Sequence, residues 1–132
     1  MIVGLNIEAI DAEKGAGAGN NIQVNYEPKI KEVSEASVDA IDDKVARIDF
    51  SFAVNYMAGG EKAAHITMDG HVLWRGNVDQ IIESWEENGQ IPEEVNIPLM
   101  NEMYRKLLSE AVGVANTLNL LPPIPTPKVQ KE

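Results

Sequence analysis

His65, Thr67, Asp69 and His71 fall at alternate positions of one apolar–polar run. In a β-strand that spacing puts all four on one face, and imidazole beside carboxylate is a donor set that a metal ion accepts. Distance limits the idea. At about 3.4 Å per residue, His65 and His71 stand about 20 Å apart, too far to share one ion. Asp69 and His71 together give two donors, fewer than a closed zinc site uses. A solvated sheet face is the expectation, with no metal and no cofactor.

Other reactive groups are scattered. Ser34, Ser37, Ser51, Ser84 and Ser109 have no nucleophile-elbow pattern around them. Cysteine is absent, which excludes disulfides, thiol nucleophiles and thiolate metal sites. The acid pairs Asp42-Asp43, Glu86-Glu87 and Glu93-Glu94 sit in solvated or helix-initiating stretches, and the last suits a helix N-terminus. Gly15-Ala16-Gly17-Ala18-Gly19 resembles a phosphate cradle in composition alone. A strand pattern follows it rather than a helix, and Lys14 is the one cation near, so a flexible loop is expected. No residue is assigned a catalytic role.

The elements that carry these residues are legible from periodicity. Ile48, Phe50, Phe52, Val54 and Tyr56 alternate with polar neighbours, as do Ala64, Ile66, Met68, Gly70, Val72 and Trp74. Met57-Ala58-Gly59-Gly60 lies between the runs, so they form a β-hairpin with one apolar face each. Val3, Leu5, Ile7 and Ala9 predict a first strand. Ile22, Val24 and Tyr26 predict a second, which Pro28 ends, bends or confines to a sheet edge. Lys31 to Lys44 is charged and weakly periodic and is expected to be a long connection. Val78, Ile81, Ile82 and Trp85 follow helical spacing, with Asn77 and Gln80 as a capping pair and Asn88-Gly89 as the stop. A second helix is announced by Pro92-Glu93-Glu94 and interrupted or restarted at Pro98. Its apolar stripe holds Leu99, Met103, Leu107, Val114 and Leu118. The run from Leu121 to Pro127 is too proline-rich for a helix and is expected to be an extended tail.

The reading is one α+β domain over 1–132. Strands cover about 2–12, 21–30, 46–56 and 62–74, helices about 77–88 and 92–119, and the tail 121–132. The sheet is antiparallel, with both helices packed on one side. A length of 132 residues, 44% of them hydrophobic, suits a single core. The net charge of -10, with no basic stripe, argues against nucleic acid and anionic membranes as partners. No basic, apolar leader opens the chain, and no run is apolar enough to span a bilayer, so a soluble cytoplasmic protein is expected.

Element order, the long polar connection and the closing Asn119-Leu120-Leu121-Pro122-Pro123 resemble the SecB fold, and more narrowly a family of small archaeal SecB-like proteins. In that family a stretch like Tyr26-Glu27-Pro28-Lys29-Ile30 closes the second strand, and a run like Ile48-Asp49-Phe50-Ser51-Phe52 forms the third. SecB is a tetrameric holdase that keeps unfolded clients in apolar grooves and passes them to a motor. The resemblance implies non-enzymatic binding of unfolded polypeptide by a homodimer or homotetramer. Phe50, Phe52, Tyr56, Trp74, Leu121, Pro122 and Pro123 are then expected to line or border the groove. SecB's zinc-binding tail has no counterpart in Val129-Gln130-Lys131-Glu132, so hand-over to the motor is not expected. The alternative is a structural or regulatory oligomer that uses its apolar surface for self-association and binds no client.

Overall fold

The hairpin anticipated from alternation is the centre of the molecule. In the computed structural model, which describes residues 1–15, 22–38 and 43–120, β3 (Asp43–Ala58) and β4 (Glu61–Trp74) pair antiparallel. Gly59 and Gly60 join them with φ of 60° and 82°. Both values are positive, as a two-residue hairpin turn of the right twist requires. β1 (Ile2–Lys14) adds to β4 and β2 (Ile22–Val38) adds to β3, giving the order β1-β4-β3-β2.

β2 runs farther than its sequence suggests. It continues past Pro28 to Val38 and includes much of the stretch expected to be a connection; Ser34, Glu35 and Ala36 pair with Arg47, Ala46 and Val45. Two features allow this. β2 lies at a sheet edge, where a missing N–H need not break a ladder, and a bulge between Ile30 and Glu32 resets the alternation that period-2 reading depends on.

β1 also departs from simple alternation. Bulges at Ile2/Gly4 and Ile7/Ala9 place Ile2, Leu5, Ile7, Ile10 and Ala12 opposite Trp74, Val72, Gly70, Met68 and Ile66. Directly paired residues point to the same side, so this is the apolar face of β1, rather than the Val3-Leu5-Ile7-Ala9 set. Gly70 is required by that approach. A Cβ there would stand 2.0 Å from the Asn6 carbonyl oxygen.

Two helices follow, α1 (Val78–Asn88) and α2 (Glu93–Thr117). Gly89, in the left-handed region, ends α1 by donating its N–H to the Trp85 carbonyl, as expected. The expected Asn77–Gln80 capping pair does not form, because Asn77 is left-handed with φ 53° and its side chain makes no cap bond. α2 runs unbroken through Pro98. That proline is early in the helix, where it forfeits one hydrogen bond to the Glu94 carbonyl and the following turns carry on. At the other end Leu120 N–H bonds the Ala115 carbonyl around a left-handed Asn119, a Schellman closure.

Both helices lie on one face of the sheet. Val78, Ile81, Leu99, Met103, Leu107, Ala111 and Ala115 meet Phe50, Phe52, Val54, Ile66, Met68 and Val72 in a single core. Tyr26, Phe52 and Tyr104 tie β2, β3 and α2 together. The Phe52 and Tyr104 rings meet edge-on at 5.6 Å, and Tyr26 lies 6.4 Å from Phe52. No described helix is long and apolar enough to cross a membrane.

Candidate functional site: an open cleft between the first strand and the long helix

The two faces of β4 divide the candidate residues cleanly. His65, Thr67, Asp69 and His71 are on the face away from the helices, as alternation requires. They do not gather into one site. Asp69 pairs with Lys31 at 3.5 Å, His65 Nε2 lies 3.3 Å from Asp11 Oδ2, and His71 Nδ1 lies 2.7 Å from Glu8 Oε1. Each histidine therefore ties central β4 to edge strand β1.

Glu8, Asp49 and His71 are the three residues whose donor atoms come closest to a metal set among the described residues, all within 4.8 Å of one another. Glu8 lies in the bulge between Ile7 and Ala9, two residues after Asn6, which pairs with His71, and so shares the outer face with that histidine. A guanidinium already serves them: Arg47 is 3.7 Å from Glu8 and 3.1 Å from Asp49. With that cation in place the group is an ion-pair network across β1, β4 and β3. The hydrogen bond from His71 holds the Glu8 carboxyl below its ordinary value, against a smaller opposing effect of burial. The charges of His71, Arg47 and Lys31 act in the same direction as the hydrogen bond.

On the helix-covered face, the aromatic residues expected to line an open groove are packed inside the protein. Phe50 is 0%, Phe52 1%, Tyr56 1% and Trp74 7% exposed. The two helices lie over these strands, so the strongest apolar alternation in the chain becomes core rather than surface. Burial pushes the Tyr56 hydroxyl up to about 12, with Tyr26 adding to it. Leu121, Pro122 and Pro123 fall outside the described residues.

Open apolar surface lies at the sheet edge instead. Leu5, Ile7, Ala9 and Ile10 of β1 and Arg105, Lys106, Ser109 and Glu110 of α2 line a cleft of about 820 Å³ that also touches Glu8. Ile10 is 49% exposed, although its cross-strand partner Met68 is fully buried. The cause is the helix. Lys106 and Glu110 are four residues apart and so share one side of α2, and the α2 residues that line the cleft with Ile10, namely Arg105, Lys106, Ser109 and Glu110, are all polar. A second recess of about 580 Å³, lined by Tyr104, Leu108 and Val112, shares Arg105 and Ser109 with the first. A third, of about 650 Å³, lies at the β2 edge against Pro28, Ile30, Trp85 and Ile91. The arrangement offers apolar side-chain contacts along an exposed strand, with hydrogen-bonding and charged groups on the facing wall.

Ile10, Arg105 and Lys106 are not among the residues expected from the sequence to form a site. The bulges in β1 leave no sequence mark, but the polar spacing of Lys106 and Glu110 was available as a sign of a helix side without apolar cover.

Four antiparallel strands in the order β1-β4-β3-β2, with both helices after the last strand and on one face, define a SecB-like fold. The solved SecB-like chaperone Rv1957 of Mycobacterium tuberculosis, in complex with a ChAD peptide from the HigA1 antitoxin Rv1956, superposes with a TM-score of 0.62. The match covers 100% of this chain and 91% of that one, at 8% sequence identity, so the likeness is one of fold. No protein-family model matches the chain, and no curated protein matches it in sequence.

Proposed function

We propose that this protein is a non-enzymatic, chaperone-like binder of extended or unfolded polypeptide in the cytoplasm, and that the β1–α2 cleft is its binding surface. The observation that carries the proposal is the partly open apolar face of β1, where Ile10 is exposed and Leu5 and Ile7, half-buried against the core, line a cleft beside α2 among the described residues. Apolar surface that a folded chain leaves open is a place for a partner, and a long cleft beside a strand suits an extended segment with alternating apolar side chains. The peptide held by the SecB-like chaperone of the same fold supports this reading.

A second reading comes from another feature of the same strand. β1 has 13 residues and pairs with β4 alone among the described residues, leaving one edge for a further strand. Such an edge favours self-association into a homodimer or homotetramer. The two readings agree if the edge joins copies and the cleft stays open, and conflict if a second copy fills the cleft.

Suppression of aggregation of a chemically unfolded protein, with the assembly mass recorded in the same buffer, tests the proposal. Suppression near one assembly per client molecule supports it. A well-folded assembly that leaves aggregation unchanged contradicts it and favours the purely structural oligomer.

A further inference from the structure

In a chain with 21 acidic and 11 basic residues, Arg105-Lys106 is the one adjacent basic pair, and it lies on the wall of the apolar cleft. Among the described residues neither side chain has an ion-pair partner within 4.0 Å, whereas Lys31 and Lys44 each have one and Arg47 has two. Two carboxylates share the lining. Glu8 is engaged by His71 and Arg47 on the other side of β1, which leaves Glu110 as the opposing charge one turn along α2. The α2 side of the cleft therefore carries two cations against Glu110, with Glu102 one turn before them on the helix.

We propose that the segment taken by this cleft is apolar with an adjacent Asp or Glu, its apolar side chains on Leu5, Ile7 and Ile10 and its carboxylate at Arg105 and Lys106. The inference rests on the polypeptide-binding reading and names the client chemistry. The overall charge of -10 favours basic partners at long range. That field is screened over about 8–10 Å at physiological salt, so at contact the neighbouring charges decide. Arg105 adds a planar fork that takes both carboxylate oxygens.

The test uses three fluorescent peptides with a common Leu-Val-Phe-Val-Leu core, flanked by paired aspartates, paired asparagines or paired lysines. Their affinities are measured by anisotropy on the full chain and on Arg105→Glu/Lys106→Glu, with assembly mass recorded. Both positions are exposed, so the variant is expected to fold. The aspartate peptide is expected to bind about three- to tenfold tighter than the lysine peptide, the size that two exposed ion pairs supply. The order is expected to reverse in the double variant and the difference to shrink at high salt. Equal or opposite affinities on the wild type, or an order unchanged by the double variant, overturn the inference and leave polypeptide binding intact. No binding of any peptide overturns both. A variant that loses assembly mass while peptide affinity stays constant shows a second copy in the cleft and likewise overturns it.

Discussion

Two parts of one sheet face meet different fates. Under the helices, Phe50, Phe52 and Tyr56 of β3 are sealed; at the edge, Ile10 of β1 faces the same way and stays half open. Both regions have apolar side chains on a pleated strand. The difference is the helix above each, because Leu99, Met103 and Leu107 lie over the centre while Lys106 and Glu110 border the edge. Apolar alternation marks a surface that must be covered, and the layer above decides whether it becomes core or site.

That contrast can be broken most strongly at the centre. Phe52→Ala removes a ring that contacts both Tyr26 and Tyr104 in a fully packed position, and is expected to cost about 3–5 kcal/mol in urea unfolding. A cost below 1 kcal/mol would show that the centre is not the packed core described. Next comes the seam between centre and edge. At Gly70 a Cβ collides with the Asn6 carbonyl, so Gly70→Ala is expected to destabilise by about 1–3 kcal/mol and to loosen β1 first. Amide exchange of β1 reads this directly, and unchanged protection there would contradict the close approach.

The smallest expected effect is on the outer face, where Glu8 helps hold β1 to β4. Its folded pKa is lowered from 4.5, so the bound proton is less favoured in the fold. The stabilisation is present above about pH 4.5 and is lost as pH falls through the lowered value. Glu8→Gln is expected to show a shallower fall in melting temperature between pH 6 and pH 3 than the wild type. An identical fall in both proteins would remove Glu8 from the account.

Much of the fold was legible because its central strands alternate cleanly and its helices follow strict spacing. The hairpin turn, the stop at Gly89 and the grouping of helices after strands all follow from local residue chemistry. Three features were not legible. β2 crosses Pro28 because it is an edge strand, and edge position is a property of the whole sheet. The bulges in β1 shift Ile10 onto the covered side without any residue announcing them. The placement of α2 fixed which aromatic residues were hidden, so the sequence-derived site of Phe50, Phe52, Tyr56 and Trp74 was displaced into the core. Arg105 and Lys106 were visible as a basic pair, but their meaning depends on the cleft beside them.

Two exposed isoleucines separate the cleft from the rest of the surface. Ile10 lines the cleft and is 49% exposed, while Ile97 of α2 is 54% exposed and lines none of the three recesses described. Ile97→Asp should shift stability by no more than about 0.5 kcal/mol, and Ile10→Asp, at a half-open strand position, by about 1 kcal/mol. Binding of a permanently unfolded, fluorescently labelled protein is then titrated with each variant, with fold and assembly mass checked in parallel. At least a tenfold loss in affinity with Ile10→Asp, and none with Ile97→Asp, is the result predicted. Wild-type affinity in a well-folded Ile10→Asp protein would contradict the assignment of the cleft.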